Sequence, residues 1–313
     1  MLKLENLSKV YKVGTFGGQE LRAVSEVSFE AADGEVISLI GESGSGKSTI
    51  GKLILRLITP TGGRITFDGV DVGGLKGAAF KEYYRRVQGV FQDPFSSYNP
   101  IFKADRVFHN VRQEFFPRVP PAEWHDKVCR SLEAVGLNPE HVLNKFPHQL
   151  SGGQLQRFLI ARALLLDIRF LVADEIISML DASTRIDVLN LLADLKARGL
   201  SILFITHDLS LANYISERAV ILYRGCVAEM GATGKIFEQP QHPYTRMLMA
   251  SVPRLDKKWS VGEPAPKVVP AKLTAGCVYF DRCPLPAKDA DCAVTRPPLI
   301  EVSPDHRVAC SKL

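Results

Sequence analysis

Residues 35–49 read Glu35-Val36-Ile37-Ser38-Leu39-Ile40-Gly41-Glu42-Ser43-Gly44-Ser45-Gly46-Lys47-Ser48-Thr49, and their reading decides the fold. The first six residues form a short apolar run of the kind buried at the centre of a sheet. Gly41 to Ser48 match G-x-x-x-x-G-K-[ST], the pattern of a phosphate loop between a strand and a helix. Glycines let the backbone wrap a phosphate without Cβ clashes. The helix that follows presents free N–H groups and the positive end of a dipole to the same anion. In that frame Lys47 reaches the β- and γ-phosphates and Ser48 ligates Mg²⁺. Gly41, Ser43, Gly44, Ser45, Gly46, Lys47, Ser48 and Thr49 are the candidate nucleotide-binding residues. A glycine-rich turn without a ligand is the plainer alternative. The full eight-residue match between an apolar strand and an amphipathic helix argues against it.

Outward from the loop, residues 2–12 and 20–30 alternate apolar positions and read as strands, with Asp33-Gly34 as a turn. A helix of about a dozen residues is expected after the loop, then strands at 62–70 and 87–91. From Asp93 to Leu150 the texture changes to Phe, Pro and Trp, with helical periodicity over 104–116 and 122–136, which reads as a helical insertion. Beyond it, helices at 152–166, 183–198 and 208–216 alternate with strands at 169–174 and 201–206, and two short strands flank Arg224-Gly225. Strands alternating with helices imply an α/β fold around a largely parallel, doubly wound sheet.

With 313 residues, a net charge of +5 and 23% charged residues, the chain has the composition of a globular protein of about two domains. No run reaches the roughly 18–20 apolar residues of a transmembrane helix, and the start MLKLENLSKVYK lacks the apolar stretch of a signal peptide. The expectation is a cytosolic protein unless a partner holds it at a membrane. The mild positive charge fits phosphate or anionic lipid, or simply a solvated surface.

A second motif, Phe170-Leu171-Val172-Ala173-Asp174-Glu175, puts two acids at the end of a buried strand, where open α/β sheets bind ligands. Asp174 would hold Mg²⁺ through water, and Glu175 would polarise the attacking water. Alone, such an ending is also compatible with an ordinary turn. Leu150-Ser151-Gly152-Gly153-Gln154 precedes a helix, with Ser151 a plausible N-cap and the glycines leaving N–H groups facing outward as a second anion site. One phosphate needs one such site per chain, so a remote second one suggests service to another chain's nucleotide.

In this order and spacing the motifs resemble the ATP-binding subunits of ABC transporters over about residues 2–250. The resemblance implies an ABC-type P-loop ATPase fold, with a mostly parallel central sheet, an antiparallel β subdomain and a helical insertion. It makes Tyr11 the aromatic that stacks on adenine, Gln92 in VFQDP the Q-loop glutamine, LSGGQ the signature, Ser178 to Asp181 the D-loop and His207 in ITHD the switch histidine. On the residues alone Tyr11 also reads as a strand aromatic, His207 as an edge histidine and Gln92 as a solvated side chain. Trp124, Phe115 and Phe116 read as packing. Lys81, Arg85 and Arg86 could meet lipid headgroups or form a solvated helix face, the plainer reading.

Phe91 to Pro100, Phe146-Pro147-His148-Gln149-Leu150 and Gln241-His242-Pro243-Tyr244-Thr245 look like the oligopeptide/dipeptide importer branch, and within it the dipeptide-type F subunit that pairs with a D subunit. Relatives of this type are linked to peptides, others to nickel or oligosaccharides. Where the family usually continues Asp-Glu with Pro-Thr-Ser-Ala-Leu-Asp, this chain has Ile176-Ile177-Ser178-Met179-Leu180-Asp181, so its D-loop geometry is open. The implied division is 1–92 and 167–252 as the two parts of the ATPase core, 93–166 as the helical subdomain, and 253–313 as a C-terminal cysteine region.

That region holds nine of the 19 prolines and reads as a separate tail with little core, outside the ATP motifs, so that Cys283→Ser is expected to leave ATP binding largely intact. Cys277, Cys283, Cys292 and Cys310, four of six cysteines, fall in the last 37 residues, which in a cytosolic chain points to a metal. On ligand chemistry alone four thiolates suit zinc or an iron–sulfur cluster equally. None of the gaps is the two to four residues usual for structural zinc. The resemblance implies a 4Fe-4S cluster at these four residues, structural rather than redox-active.

The expected activity is ATP hydrolysis, with Glu175, His207 and Gln92 as catalytic candidates and ATP sandwiched head to tail between two cassettes. Ser151, Gly153 and Asp181 would serve the partner's site; Ser48, Gln92 and Asp174 would hold Mg²⁺. Implied partners are a second, D-type ATPase chain, two transmembrane permease subunits and, indirectly, an extracytoplasmic solute-binding protein. No nucleic acid is implied, and the location would be the cytoplasmic face of the membrane. A soluble ATPase of the same superfamily normally carries two cassettes or a long coiled coil, and this chain has one cassette and no sustained heptads. A binding-only regulator would not need both Glu175 and His207.

Overall fold

The computed structural model describes residues 1–13, 18–251 and 275–313. Residues 253–274 of the expected tail lie outside them. The described strands are β1 (Leu2–Val13), β2 (Gln19–Ala31), β3 (Val36–Ile40), β4 (Gly62–Phe67), β5 (Val70–Asp71), β6 (Val87–Val90), β7 (Phe170–Asp174), β8 (Ser201–Thr206), β9 (Arg218–Tyr223), β10 (Cys226–Ala232), β11 (Ile300–Ser303) and β12 (His306–Val308). The helices are α1 (Lys47–Ile54), α2 (Gly77–Arg86), α3 (Arg106–Phe115), α4 (Pro121–Glu133), α5 (Pro139–Val142), α6 (Gly152–Leu164), α7 (Ala182–Ala197), α8 (Leu209–Ile215), α9 (Thr233–Glu238), α10 (Pro243–Ala250) and α11 (Ala290–Val294).

Two sheets organise the chain. One is antiparallel, in the order β2-β1-β4-β5; the other has eight strands in the order β11-β12-β10-β9-β3-β8-β7-β6. β9, β3, β8, β7 and β6 are mutually parallel, as the βαβ pattern requires. β3, β7 and β8 are buried at every position, which is why they read as unbroken apolar runs. One core cluster joins the helical insertion to the sheet through Phe108, Trp124, Phe158 and Leu171. A second fills the space between the two sheets with Leu4, Val27, Leu39, Ile50 and Phe67. Phe108 stacks on Phe158 at 4.5 Å and Phe116 leans on Trp124 at 5.4 Å, so these aromatics are packing.

Two expectations need correction. The helix after the phosphate loop has eight residues, not a dozen. Arg56 ends it in the left-handed region (φ 52°), with Leu57 N–H on the Lys52 carbonyl as in a Schellman cap. The Arg56 guanidinium donates to the carbonyls of Leu75 (2.9 Å) and Gly73 (3.1 Å), which holds a conformation usually left to glycine. Nor is the tail separate: β12 pairs antiparallel with β10, and β11 with β12, so the C-terminal region extends the core sheet.

Candidate functional site

Adjacent parallel strands end side by side, so β3, β8, β7 and β6 deliver Gly41, His207, Glu175 and Gln92 to one edge of the sheet. At the loop, a Cβ on Gly41 would sit 2.2 Å from the Leu222 carbonyl oxygen. One on Gly46 (φ 102°) would sit 2.3 Å from that of Ala23. Both obstacles are backbone, so the tight wrap needs glycine. Gly46 opens α1 with no side-chain cap, leaving the first-turn N–H groups free for an anion. Ser43 and Gly44 are exposed, whereas the Ser45 hydroxyl is buried without a partner. Lys47 is buried and donates to the carbonyls of Gly41 (2.8 Å) and Glu42 (3.0 Å). Burial holds its ammonium below the usual lysine range, against the pull of Glu175, Asp174 and Glu42. A triphosphate oxygen would compensate that burial far better than carbonyl dipoles.

Ser48 Oγ donates to Asp174 Oδ1 at 3.1 Å. Burial raises the Asp174 carboxyl above its ordinary value, only partly offset by that hydrogen bond. A hydroxyl beside a desolvated carboxylate at a phosphate loop is a donor set that fits Mg²⁺. Glu175 follows in the left-handed region (φ 51°), its N–H on the Ile205 carbonyl at 2.9 Å, which turns its side chain out of the strand. Glu175 Oε1 lies 3.4 Å from His207 Nδ1. A cavity of about 80 Å³ opens between Glu175, Ser178, Arg185 and His207. The departure at Ile176-Ile177 has a local answer. Both isoleucines are buried, and Arg185 donates to the carbonyls of Leu180 (2.8 Å) and Ser178 (3.3 Å), pinning the turn that proline would otherwise stiffen. Nothing in the sequence pattern singled out Arg185.

The remaining candidates are placed as follows. Ser151 caps α6 in a reciprocal capping box with Gln154. Gly153 does not face outward on all sides: a Cβ there would meet Thr184 Cγ2 at 2.4 Å, so glycine also lets α6 approach α7. Asp181 caps α7 with both oxygens, accepting from Ser183 Oγ (2.7 Å) and Thr184 Oγ1 (2.8 Å). Those bonds hold its carboxyl well below the usual range. Tyr11 lies on β1 opposite Leu21 of β2, the strand whose Ala23 carbonyl touches Gly46; Lys9 Nζ sits 5.1 Å from its ring centre. Gln92 is exposed just beyond β6, and Thr49 lies in the first turn of α1. Lys81, Arg85 and Arg86 pair with Glu114, Asp167 and Glu82, the ordinary solvated face.

Cys277, Cys283, Cys292 and Cys310 line one small cavity of about 20 Å³, walled by Pro243, Tyr279 and Leu285. Cys277 N–H donates to the Cys292 carbonyl at 2.9 Å. All four are free thiols. Burial, then proximity to the other cysteines, raises Cys277 and Cys310. Among the described residues, no group of three or more His, Cys, Asp or Glu is gathered closely enough to hold a metal ion. The four thiols share the lining of one cavity without closing into a ligand set. The region does not lie apart from the ATP motifs, contrary to expectation, because Arg282 pairs with Glu42 of the phosphate loop.

Residues 24–178 match the family described as ABC transporter, and 228–292 match the oligopeptide/dipeptide transporter C-terminal region. A protein of Brucella ovis named for ATP binding in peptide import is 42% identical over 321 residues, covering 99% of this chain and 97% of its own. The oligopeptide transport ATP-binding protein OppF of Salmonella typhimurium is 37% identical over 303 residues, 94% and 88% of the two chains. Among solved structures, a dimeric ATP-binding cassette in a post-hydrolysis state with ADP and Pi matches at TM-score 0.67 and 30% identity. It covers 74% of this chain and 99% of that one.

Proposed function

This chain belongs to the ATP-binding subunits of oligopeptide/dipeptide ABC transporters, ATPases of peptide import, and we propose that its residues divide the work as follows. The observation that carries the reading is the single sheet edge at which Lys47, the Ser48–Asp174 pair and the Glu175–His207 pair meet.

ATP lies along Gly41–Thr49, its adenine against Tyr11. Lys47 exchanges the Gly41 and Glu42 carbonyls for the β- and γ-phosphates. Ser48 and Asp174, with Gln92, would hold Mg²⁺, which would supply charge neutralisation on the phosphates when bound. Glu175 takes a proton from the attacking water as its oxygen bonds to the γ-phosphorus and the bond to ADP breaks. His207, beside Glu175, stabilises the terminal phosphate. Ser151, Gly153 and Asp181 face the nucleotide of a second cassette, a D-type chain in a heterodimer. Losing the γ-phosphate removes the bond across that interface.

Phe95, Ile101 and Phe102, exposed beyond Gln92, suit a docking surface for two permease subunits. Buried Gln156 reaches the Phe91 carbonyl (3.3 Å) and Arg162 the Gly89 carbonyl (3.0 Å), so the helical insertion moves with the segment that bears Gln92. Among the described residues no helix is long and apolar enough to cross a membrane. In this reading attachment is peripheral, through the permease at the cytoplasmic face, with an extracytoplasmic solute-binding protein delivering peptide to the permease and no role for nucleic acid. Cys277, Cys283, Cys292 and Cys310 would hold a 4Fe-4S cluster, whose chemistry here is to cross-link a proline-rich segment.

Glu175→Gln keeps shape and removes the base. ATP should still bind, turnover should fall by about 10²–10⁴, and an ATP-bound dimer should accumulate. Wild-type turnover in that variant would remove Glu175 from the role. Anaerobically purified protein should carry about four irons per chain, the complement of one cubane; a colourless protein with one zinc would replace the cluster.

A further inference from the structure

Glu42, the second residue of the phosphate loop, is held from three sides. Its backbone N–H donates to Tyr244 Oη at 3.0 Å. Its carboxylate accepts from Arg282 Nη1 through both oxygens, at 3.1 and 2.9 Å. Its carbonyl accepts from Lys47 Nζ. Arg282 is only 14% exposed and lies over the rings of Tyr223 and Tyr279, 5.8 and 5.9 Å from their centres. Tyr244 is fully buried against the same two rings.

Arg282 also sits inside the cysteine segment. Turns run from the Cys277 carbonyl to Phe280 N–H (3.0 Å), from Tyr279 to Arg282 (3.0 Å) and from Phe280 to Cys283 (3.2 Å). The backbone between Cys277 and Cys283 therefore fixes where the guanidinium stands. A second link runs parallel: Arg224 reaches the Val278 carbonyl (3.5 Å) and Asp281 (3.8 Å), and the next residue, Gly225, donates to the Ser45 carbonyl of the phosphate loop (2.9 Å).

We propose that Arg282 is a positioning residue for nucleotide binding, through which the cysteine-bearing segment sets how tightly the phosphate loop holds ATP. Arg282 touches no phosphate. It clamps the Glu42 carboxylate while Tyr244 holds the Glu42 N–H, so the turn of the loop is preorganised from 240 residues downstream whichever partner Lys47 takes. Two sites joined through packed contacts influence one another by typical factors of about 5–150. A pair this close to solvent belongs near the low end.

The inference rests on ATP binding at Gly41–Thr49, which Lys47→Ala tests separately by abolishing binding. The test is the affinity of purified full-length protein for a fluorescent ATP analogue, with steady-state ATPase alongside. Arg282→Ala should weaken binding about 5–20-fold and raise KM, with kcat within about twofold. Glu42→Gln, outside the tail, should do the same. The swap Glu42→Arg with Arg282→Glu should recover most of the affinity, which a loss of folding would not allow. Arg307→Ala, which removes a surface ion pair with Glu301 in the same tail, should leave affinity unchanged. Cys283→Ser should shift affinity in the same direction as Arg282→Ala. Unchanged affinity in both Arg282→Ala and Glu42→Gln, while Lys47→Ala abolishes binding, would overturn the inference and leave the ATP site standing. So would a swap variant as weak as its two parents.

Discussion

Glu229 is the deepest carboxylate on the sheet, fully buried on β10. Its Oε1 accepts from Gln241 N–H (2.9 Å) and His306 Nε2 (2.6 Å), and its Oε2 accepts from His242 N–H (2.9 Å). One side chain thus joins the core strand, the approach to α10 and the tail strand β12. Glu229→Ala would strand three donors, each about 1–3 kcal/mol if left dry. Water entering the gap relieves part of this, so the expected loss is about 3–5 kcal/mol, what removing one member of a buried pair costs. At roughly 2–4 °C per kcal/mol for a chain of this class, the melting midpoint should fall by roughly 10 °C. Glu229→Gln keeps one acceptor and turns an amide N–H₂ towards a donor, so it should lose about half as much. The assay is thermal and urea unfolding of the purified protein, paired with limited proteolysis, where cuts should appear first between α10 and β12. A midpoint within about 2 °C of wild type, with the tail still protected, would refute the reasoning.

Three further outcomes follow from named contacts. Asp174→Asn should abolish Mg²⁺-dependent turnover yet stabilise the nucleotide-free fold at pH 7. Burial raises the Asp174 pKa, so its ionised form opposes folding once pH exceeds the unfolded value, and unfolding midpoints of the two proteins should converge as pH falls. His242 is buried, its pKa pushed down to about 4, and its Nδ1 accepts from Tyr244 N–H at 3.0 Å. Protons then bind the unfolded chain first, so this contribution is intact above about pH 6.5 and lost towards pH 4. His242→Asn should flatten that fall by roughly 2–3 kcal/mol in urea titrations. Gly153→Ala drives a Cβ onto Thr184 Cγ2 and should cost about 1–3 kcal/mol; adding Thr184→Ser, which deletes that methyl, should restore most of the midpoint.

The nucleotide edge was readable because its information is local. Gly41 to Ser48 need no distant partner to be recognised, and the apolar runs before Gly41, Glu175 and His207 place all three just past the ends of strands of one sheet. What escaped is what depends on long separations. Arg282 looks like any tail arginine until the fold brings it to Glu42, and His306 like any surface histidine until β12 closes on Glu229. Proline content suggested a detached tail, because the three residues of β12 are too short to show periodicity. The early end of α1 was hidden for a similar reason: Arg56 takes a glycine's conformation only with the Gly73 and Leu75 carbonyls to hold it. Gln241 to Thr245 were recognised as a family string with no task. The structure gives Tyr244 one, as acceptor for Glu42.

The contact between Arg282 and Glu42 has a consequence during synthesis. A ribosome adding about 5–20 residues per second needs roughly 10–50 s to travel the 240 positions between them. Through that interval the nascent chain already displays its phosphate loop, and for rather less than half of it the Asp174–Glu175 strand end as well, without the arginine that steadies the loop. β10 likewise waits, its edge unpaired, until β12 is made. Nucleotide competence and closure of the sheet edge therefore arrive together, late, from the same stretch of chain. A message broken after α10 would yield a polypeptide with the nucleotide motifs intact, a slack grip on ATP and a bare strand open to aggregation.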